Sequence, residues 1–120
     1  MATLRLIGVS STTQRQEEVL VELPSTISGS VGAGLSIYGD SIPLADLKSV
    51  KYEITLWTLT KSETMTMTVS YDSTGITDSV SGISGSRILK SVNSIIVGSD
   101  MKLDIINGEL ETINYKLEKK

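Results

Sequence analysis

Two stretches of strict alternation constrain this chain more than any other feature: Val50-Lys51-Tyr52-Glu53-Ile54-Thr55-Leu56 and Met65-Thr66-Met67-Thr68-Val69-Ser70-Tyr71. Strand side chains point to opposite faces with a period of two, so each stretch has one apolar face and one charged or hydroxyl-rich face. A four-residue loop Leu59–Ser62 joins them into a hairpin in which Thr58 faces Glu63, Leu56 Met65, Ile54 Met67, Tyr52 Val69 and Val50 Tyr71. A slip of one residue would set every apolar side chain against Thr or Ser, so the apolar partners specify which face is which. Trp57 falls on the polar side, opposite Thr64. The residue supply agrees with strands: 31 Ser and Thr and 22 Ile and Val among 120 residues favour pleated, half-covered surfaces over helices.

The remaining segments extend the pattern. Residues 2–9 and 17–23 read as short edge strands, the second ended by Pro24. Gly29, Gly32 and Gly34 follow in a glycine-rich stretch, then a short strand at Leu35–Tyr38 and a loop through Gly39-Asp40 and Pro43 to Leu47. Ser91–Val97 reads as a strand turning at Gly98-Ser99-Asp100, with the inward choice between Ile95 and Ile96 left open by the loop length. Met101, Leu103 and Ile105 must share a side with Ile113, Tyr115 and Leu117. A two-residue Asn107-Gly108 turn would separate those sets. A three-residue loop Ile106-Asn107-Gly108, pairing Ile105 with Glu109 and Leu103 with Glu111, unites them, as would a bulge further along. Five to eight strands without a long helix predict an all-β, antiparallel β-sandwich or jelly roll in a single domain. Residues 1–34 form an N-terminal arm or edge with the Gly-rich loop, and 35–120 the sandwich core.

The chain has no His, no Cys and no Phe. It therefore offers no imidazole base, no thiolate and no Cys or His metal ligand. A net charge of −3 without a basic block argues against nucleic acid as partner. The sequence shows neither a signal-peptide pattern nor an apolar run of transmembrane length, so no membrane partner is expected. Gly29–Gly34 lacks the Lys-Ser/Thr that completes a phosphate-binding loop and reads as a flexible or subunit-contacting loop. Asp72 and Asp78 flank a short polar segment that reads as a turn held by side-chain hydrogen bonds rather than a calcium loop or a glycosidase pair. Glu17/Glu18 and Glu109/Glu111 read as solvated loop ends. Thr64, Thr66 and Thr68, with Thr55, give a hydroxyl face too short and too interrupted by Lys51 and Glu53 for ice binding. No catalytic residue, metal site or cofactor is assigned. The candidate interface is Trp57, Thr64, Gly29, Gly32 and Gly34.

Lys51-Tyr52-Glu53-Ile54, Val69-Ser70-Tyr71-Asp72, Gly98-Ser99-Asp100, Leu103-Asp104-Ile105-Ile106-Asn107 and Ile113-Asn114-Tyr115-Lys116-Leu117 follow one another in an order that resembles the small β-sandwich domains of tailed-bacteriophage virion proteins. The resemblance covers about 70 residues and departs over the N-terminal 47. It implies a non-enzymatic structural part of a virion whose functional residues are surfaces, without saying which part; with the short length it leads to the expectation of a capsid decoration or auxiliary head protein, self-associating as a trimer and bound to major capsid or other virion proteins. A tail fibre or baseplate accessory is the alternative. A carbohydrate-binding module is a further class, thinly supplied with aromatics because only Trp57 and Tyr38 are expected outside the core.

Overall fold

The computed structural model describes residues 3–7, 18–22 and 25–120. In chain order the strands are β1 (Thr3–Ile7), β2 (Glu18–Glu22), β3 (Ser25–Val31), β4 (Ser36–Pro43), β5 (Ser49–Trp57), β6 (Ser62–Asp72), β7 (Gly75–Gly85), β8 (Lys90–Val97), β9 (Asp100–Asn107) and β10 (Ile113–Lys119), with one 3-10 turn at Leu44–Asp46. β1 pairs with β2 in a sheet of its own, Leu4 opposite Val21 and Leu6 opposite Val19. The other strands form a five-stranded sheet, β3-β10-β5-β6-β7, and a three-stranded sheet, β4-β9-β8, antiparallel throughout. The fold is the antiparallel β-sandwich that the alternation predicts.

The core lies between the two sheets. Tyr52, Ile54 and Leu56 of β5, Met65, Met67 and Val69 of β6, and Ile113, Tyr115 and Leu117 of β10 meet Met101, Leu103 and Ile105 of β9. All are buried, and they cluster with Val31, Leu47, Val50 and Ile88. At one end, Asp40 of β4 ties the layers together: its Oδ2 accepts the Tyr52 hydroxyl at 2.7 Å and Lys119 Nζ at 3.1 Å. Burial, then the hydrogen bond and the charge of Asp40, push the Tyr52 phenol far above its ordinary ionisation range.

Several expectations need correction. The β5–β6 loop is four residues long but occupies 58–61, so Trp57 faces Ser62, Leu56 faces Glu63 and Ile54 faces Met65. The register differs by two residues, which preserves every face and places Glu63 inward. No hairpin joins β9 to β10, because they belong to different sheets. Their odd-numbered apolar residues share a side by facing one another across the core. The loop expected from Gly39 to Pro43 is strand, with a bulge between Tyr38 and Asp40. Residues 75–85, which the sequence pattern assigns to no strand, form β7, an 11-residue edge strand that already contains Asp78. β3, assigned to the N-terminal arm, pairs with β10 along its whole length and belongs to the sandwich. β8 and β9 do turn at Gly98-Ser99, with Val97 opposite Asp100 and Gly98 at a φ of 64°. Ile96 stands opposite the buried Met101.

Candidate functional site

The strand directions bring four connections to one end of the sandwich: 32–35 between β3 and β4, 58–61 between β5 and β6, 86–89 between β7 and β8, and 108–112 between β9 and β10. Each carries one exposed leucine. Leu35 is 62% exposed, Leu59 95%, Leu89 60% and Leu110 98%. Scattered exposed leucines are ordinary, but one on every loop of the same pole is a concentrated apolar surface and marks a contact site.

These leucines stand on a floor of buried polar groups. Asn107, at the end of β9, is 1% exposed. Its main-chain N–H donates to the Leu35 carbonyl at 2.9 Å, and the next N–H, of Gly108, donates to the Leu89 carbonyl at 2.9 Å. Its side-chain amide donates to the carbonyls of Val31, Gly32 and Glu111 at 2.9, 3.1 and 2.9 Å, and its Oδ1 accepts the Glu109 N–H. One side chain thus joins the β3–β4 and β9–β10 loops.

Two carboxylates hold the 86–89 connection. Glu63 Oε1 accepts the Ile88 N–H at 3.1 Å and Lys90 Nζ at 2.7 Å. Glu109 Oε2 accepts the Leu89 N–H at 2.7 Å and Lys61 Nζ at 3.0 Å. The Leu89 N–H, then Lys61, draw the Glu109 carboxyl below the usual glutamate range against the effect of burial. Both glutamates are buried, which corrects the reading of Glu109 as a solvated loop end. In the 58–61 turn, Thr58 Oγ1 accepts the N–H groups of Thr60 and Lys61 at 3.2 and 3.0 Å. The leucine side chains therefore protrude from backbone that is fixed, so a partner meeting them orders little more than rotamers. Two ion pairs lie within the pole, Lys61 with Glu109 and Lys90 with Glu63, and Arg87 and Glu111 stand on the same loops.

The five residues singled out from the sequence separate. Gly32 and Gly34 lie in the β3–β4 turn beside Leu35, and Trp57 is half-exposed where β5 reaches the pole. Gly29 sits mid-strand opposite Tyr115, whose ring occupies the place of a side chain: a Cβ on Gly29 would lie 2.7 Å from Tyr115 Cζ. Thr64 is on the outer face of the large sheet, its hydroxyl 2.8 Å from that of Ser84. Tyr38, the other exposed aromatic foreseen, is on β4 with Lys102 Nζ 5.7 Å from its ring centre.

Sequence reasoning missed the leucines and their floor. The available signal was one leucine in each of the polar turns Thr58-Leu59-Thr60-Lys61 and Glu109-Leu110-Glu111, positions that no strand pattern claims.

Asp72 and Asp78 do not converge. Asp72 Oδ1 accepts the Thr74 hydroxyl and N–H at 2.6 and 2.8 Å, bonds that lower its carboxyl, whereas Asp78 Oδ2 accepts the N–H and hydroxyl of Ser94 on β8 at 3.0 and 2.6 Å. Among the described residues no three acidic groups gather as a metal site, and no helix is long and apolar enough to cross a membrane.

No protein-family model matches the chain, and no curated protein matches it. Among solved structures it is similar to part of the tailspike protein of Acinetobacter baumannii phage AM24, with 7% identity and a TM-score of 0.46 over 81% of this chain and 26% of that one. The matched part is about a quarter of the tailspike.

Proposed function

We propose that the protein is a non-enzymatic structural part of a tailed-phage particle, a capsid decoration or auxiliary head protein that docks through its leucine-bearing pole. The observation that carries docking is the set of four protruding leucines on four loops whose backbones are tied to one another. The resemblance over residues 49–120 supplies the particle. The occupant of the pole is an apolar patch on a neighbouring virion protein, because the four exposed leucines are the side chains its loops share. Binding the assembled lattice and not its dissociated parts stabilises the shell by RT ln(1 + [L]/Kd) at each site.

Leu59→Ser with Leu110→Ser tests this reading. Both side chains are almost wholly exposed, so the urea midpoint should stay near that of the wild type. Incorporation into particles, read by gel and electron microscopy, should fall at least about tenfold, which is roughly 1.4 kcal/mol of docking free energy. Undiminished incorporation would overturn docking through the pole. Density confined to the tail tip would replace the head assignment with a tail accessory.

A further inference from the structure

We propose that the outer face of the five-stranded sheet is a binding groove for an uncharged oligosaccharide. Lys51, Glu53, Thr55 and Trp57 occupy alternate positions of β5, on the face turned away from the core. Two cavities lie along this face, of about 350 and 290 Å³. Both are lined by Glu53 and Thr66, so they adjoin on this face, and the larger falls within the usual size range of small-molecule sites, about 300–1,000 Å³. One cavity extends to Lys51 and Lys120, the other to Thr55, Thr64 and Glu118. A register shift on β7 beside Thr64 and Thr66 bends the neighbouring edge, and Gly82 at this bulge leaves space above Thr66.

The lining chemistry points to sugar hydroxyls. Thr55, Thr64 and Thr66 provide hydroxyls that both donate and accept, and Glu53 and Glu118 provide strong acceptors for paired ligand O–H groups. Glu53 stands directly opposite Glu118 in the β5–β10 register. Like charges so placed are destabilising, and here Lys120 lies 3.3 Å from Glu53 and Lys116 3.8 Å from Glu118. The carboxylates are thereby neutralised while keeping lone pairs free, an arrangement suited to a neutral polyhydroxyl ligand. Trp57, half-exposed, comes two positions beyond Thr55 on the same face and supplies an aromatic surface for the apolar side of a sugar ring. From Lys51 to Trp57 the row runs about 20 Å at roughly 3.3 Å per residue, long enough for several linked sugars.

Trp57 is the chain's only tryptophan, so its fluorescence reports on the end of this face that adjoins the pole. The full chain is applied to an array of bacterial and animal oligosaccharides, and retained glycans are titrated against tryptophan emission. At least one neutral oligosaccharide should be retained and should shift the emission saturably. Glu53→Gln and Thr66→Val, both outer-face changes checked for folding by circular dichroism, should each weaken binding about tenfold or more, and Trp57→Ala should abolish retention. Retention of no neutral glycan overturns the proposal, as does binding that none of the three substitutions alters. Particle incorporation is measured in parallel, because Glu53→Gln should leave it unchanged and so separates the groove from the pole.

Discussion

Glu63→Ala should be strongly destabilising at the pole, for reasons that can be worked from its contacts. The carboxylate accepts the buried Ile88 N–H and pairs at 2.7 Å with Lys90, whose side chain is 14% exposed. Alanine leaves that N–H without its acceptor, a cost of about 1–3 kcal/mol. It also leaves Lys90 without its anion, and breaking a buried pair costs about 3–5 kcal/mol in total. The two figures overlap and Lys90 keeps some water, so about 3 kcal/mol is expected, a large part of a domain stability of roughly 5–15 kcal/mol. With a urea m-value of about 2 kcal/mol per molar, the midpoint should fall by about 1.5 M. Glu63→Gln retains an acceptor for Ile88 and should lose about half as much. The double change Glu63→Leu, Lys90→Leu should be less harmful than Glu63→Ala, because neither charge is then left buried. Amide exchange at Ile88 and Leu89 should rise in Glu63→Ala. A variant within about 0.5 kcal/mol of the wild type would refute the claim that this pair holds the 86–89 connection.

Two other outcomes follow from contacts elsewhere. Gly29→Ala places a methyl against the Tyr115 ring and should cost about 1–3 kcal/mol by overpacking, measured as a lowered thermal midpoint; an unchanged midpoint would mean that the ring moves freely aside. The Glu109 carboxyl is held below its ordinary value of 4.5, so its stabilising effect is present above that pH and is lost as pH falls through the lower folded value. The urea midpoint should therefore drop on acidification below about pH 4.5, and Glu109→Gln should make that drop shallower.

The faces of the sandwich and the β5–β6 and β8–β9 hairpins were legible, whereas the partners of β10 were not. Parity alone puts Tyr52, Ile54 and Leu56 on the side of Met65, Met67 and Val69, and this survives the two-residue error in loop position. The same parity united Met101, Leu103 and Ile105 with Ile113, Tyr115 and Leu117, but alternation cannot distinguish a neighbour in the sheet from one across the core. Two residues at 107–108 forbid the shared side only if the strands pair; once they face each other from separate layers, the conflict disappears. β7 escaped notice because Ser, Thr and Gly line both its faces, as an edge strand with little burial permits. Glu109 reads as a solvated loop end because its burial depends on Lys61 and the 86–89 backbone, which approach it only in the fold.

β10 lies between β3 and β5, with Ile113 opposite Val31 and Asn114 opposite Trp57. During synthesis, then, β3 and β5 emerge with a vacant lane between them and cannot join one sheet until residues 113–119 leave the ribosome. Pairings this distant in sequence slow the search and lengthen the exposure of bare strand edges. Any partner that recognises the closed sandwich would meet it only after the last strand has slid into place.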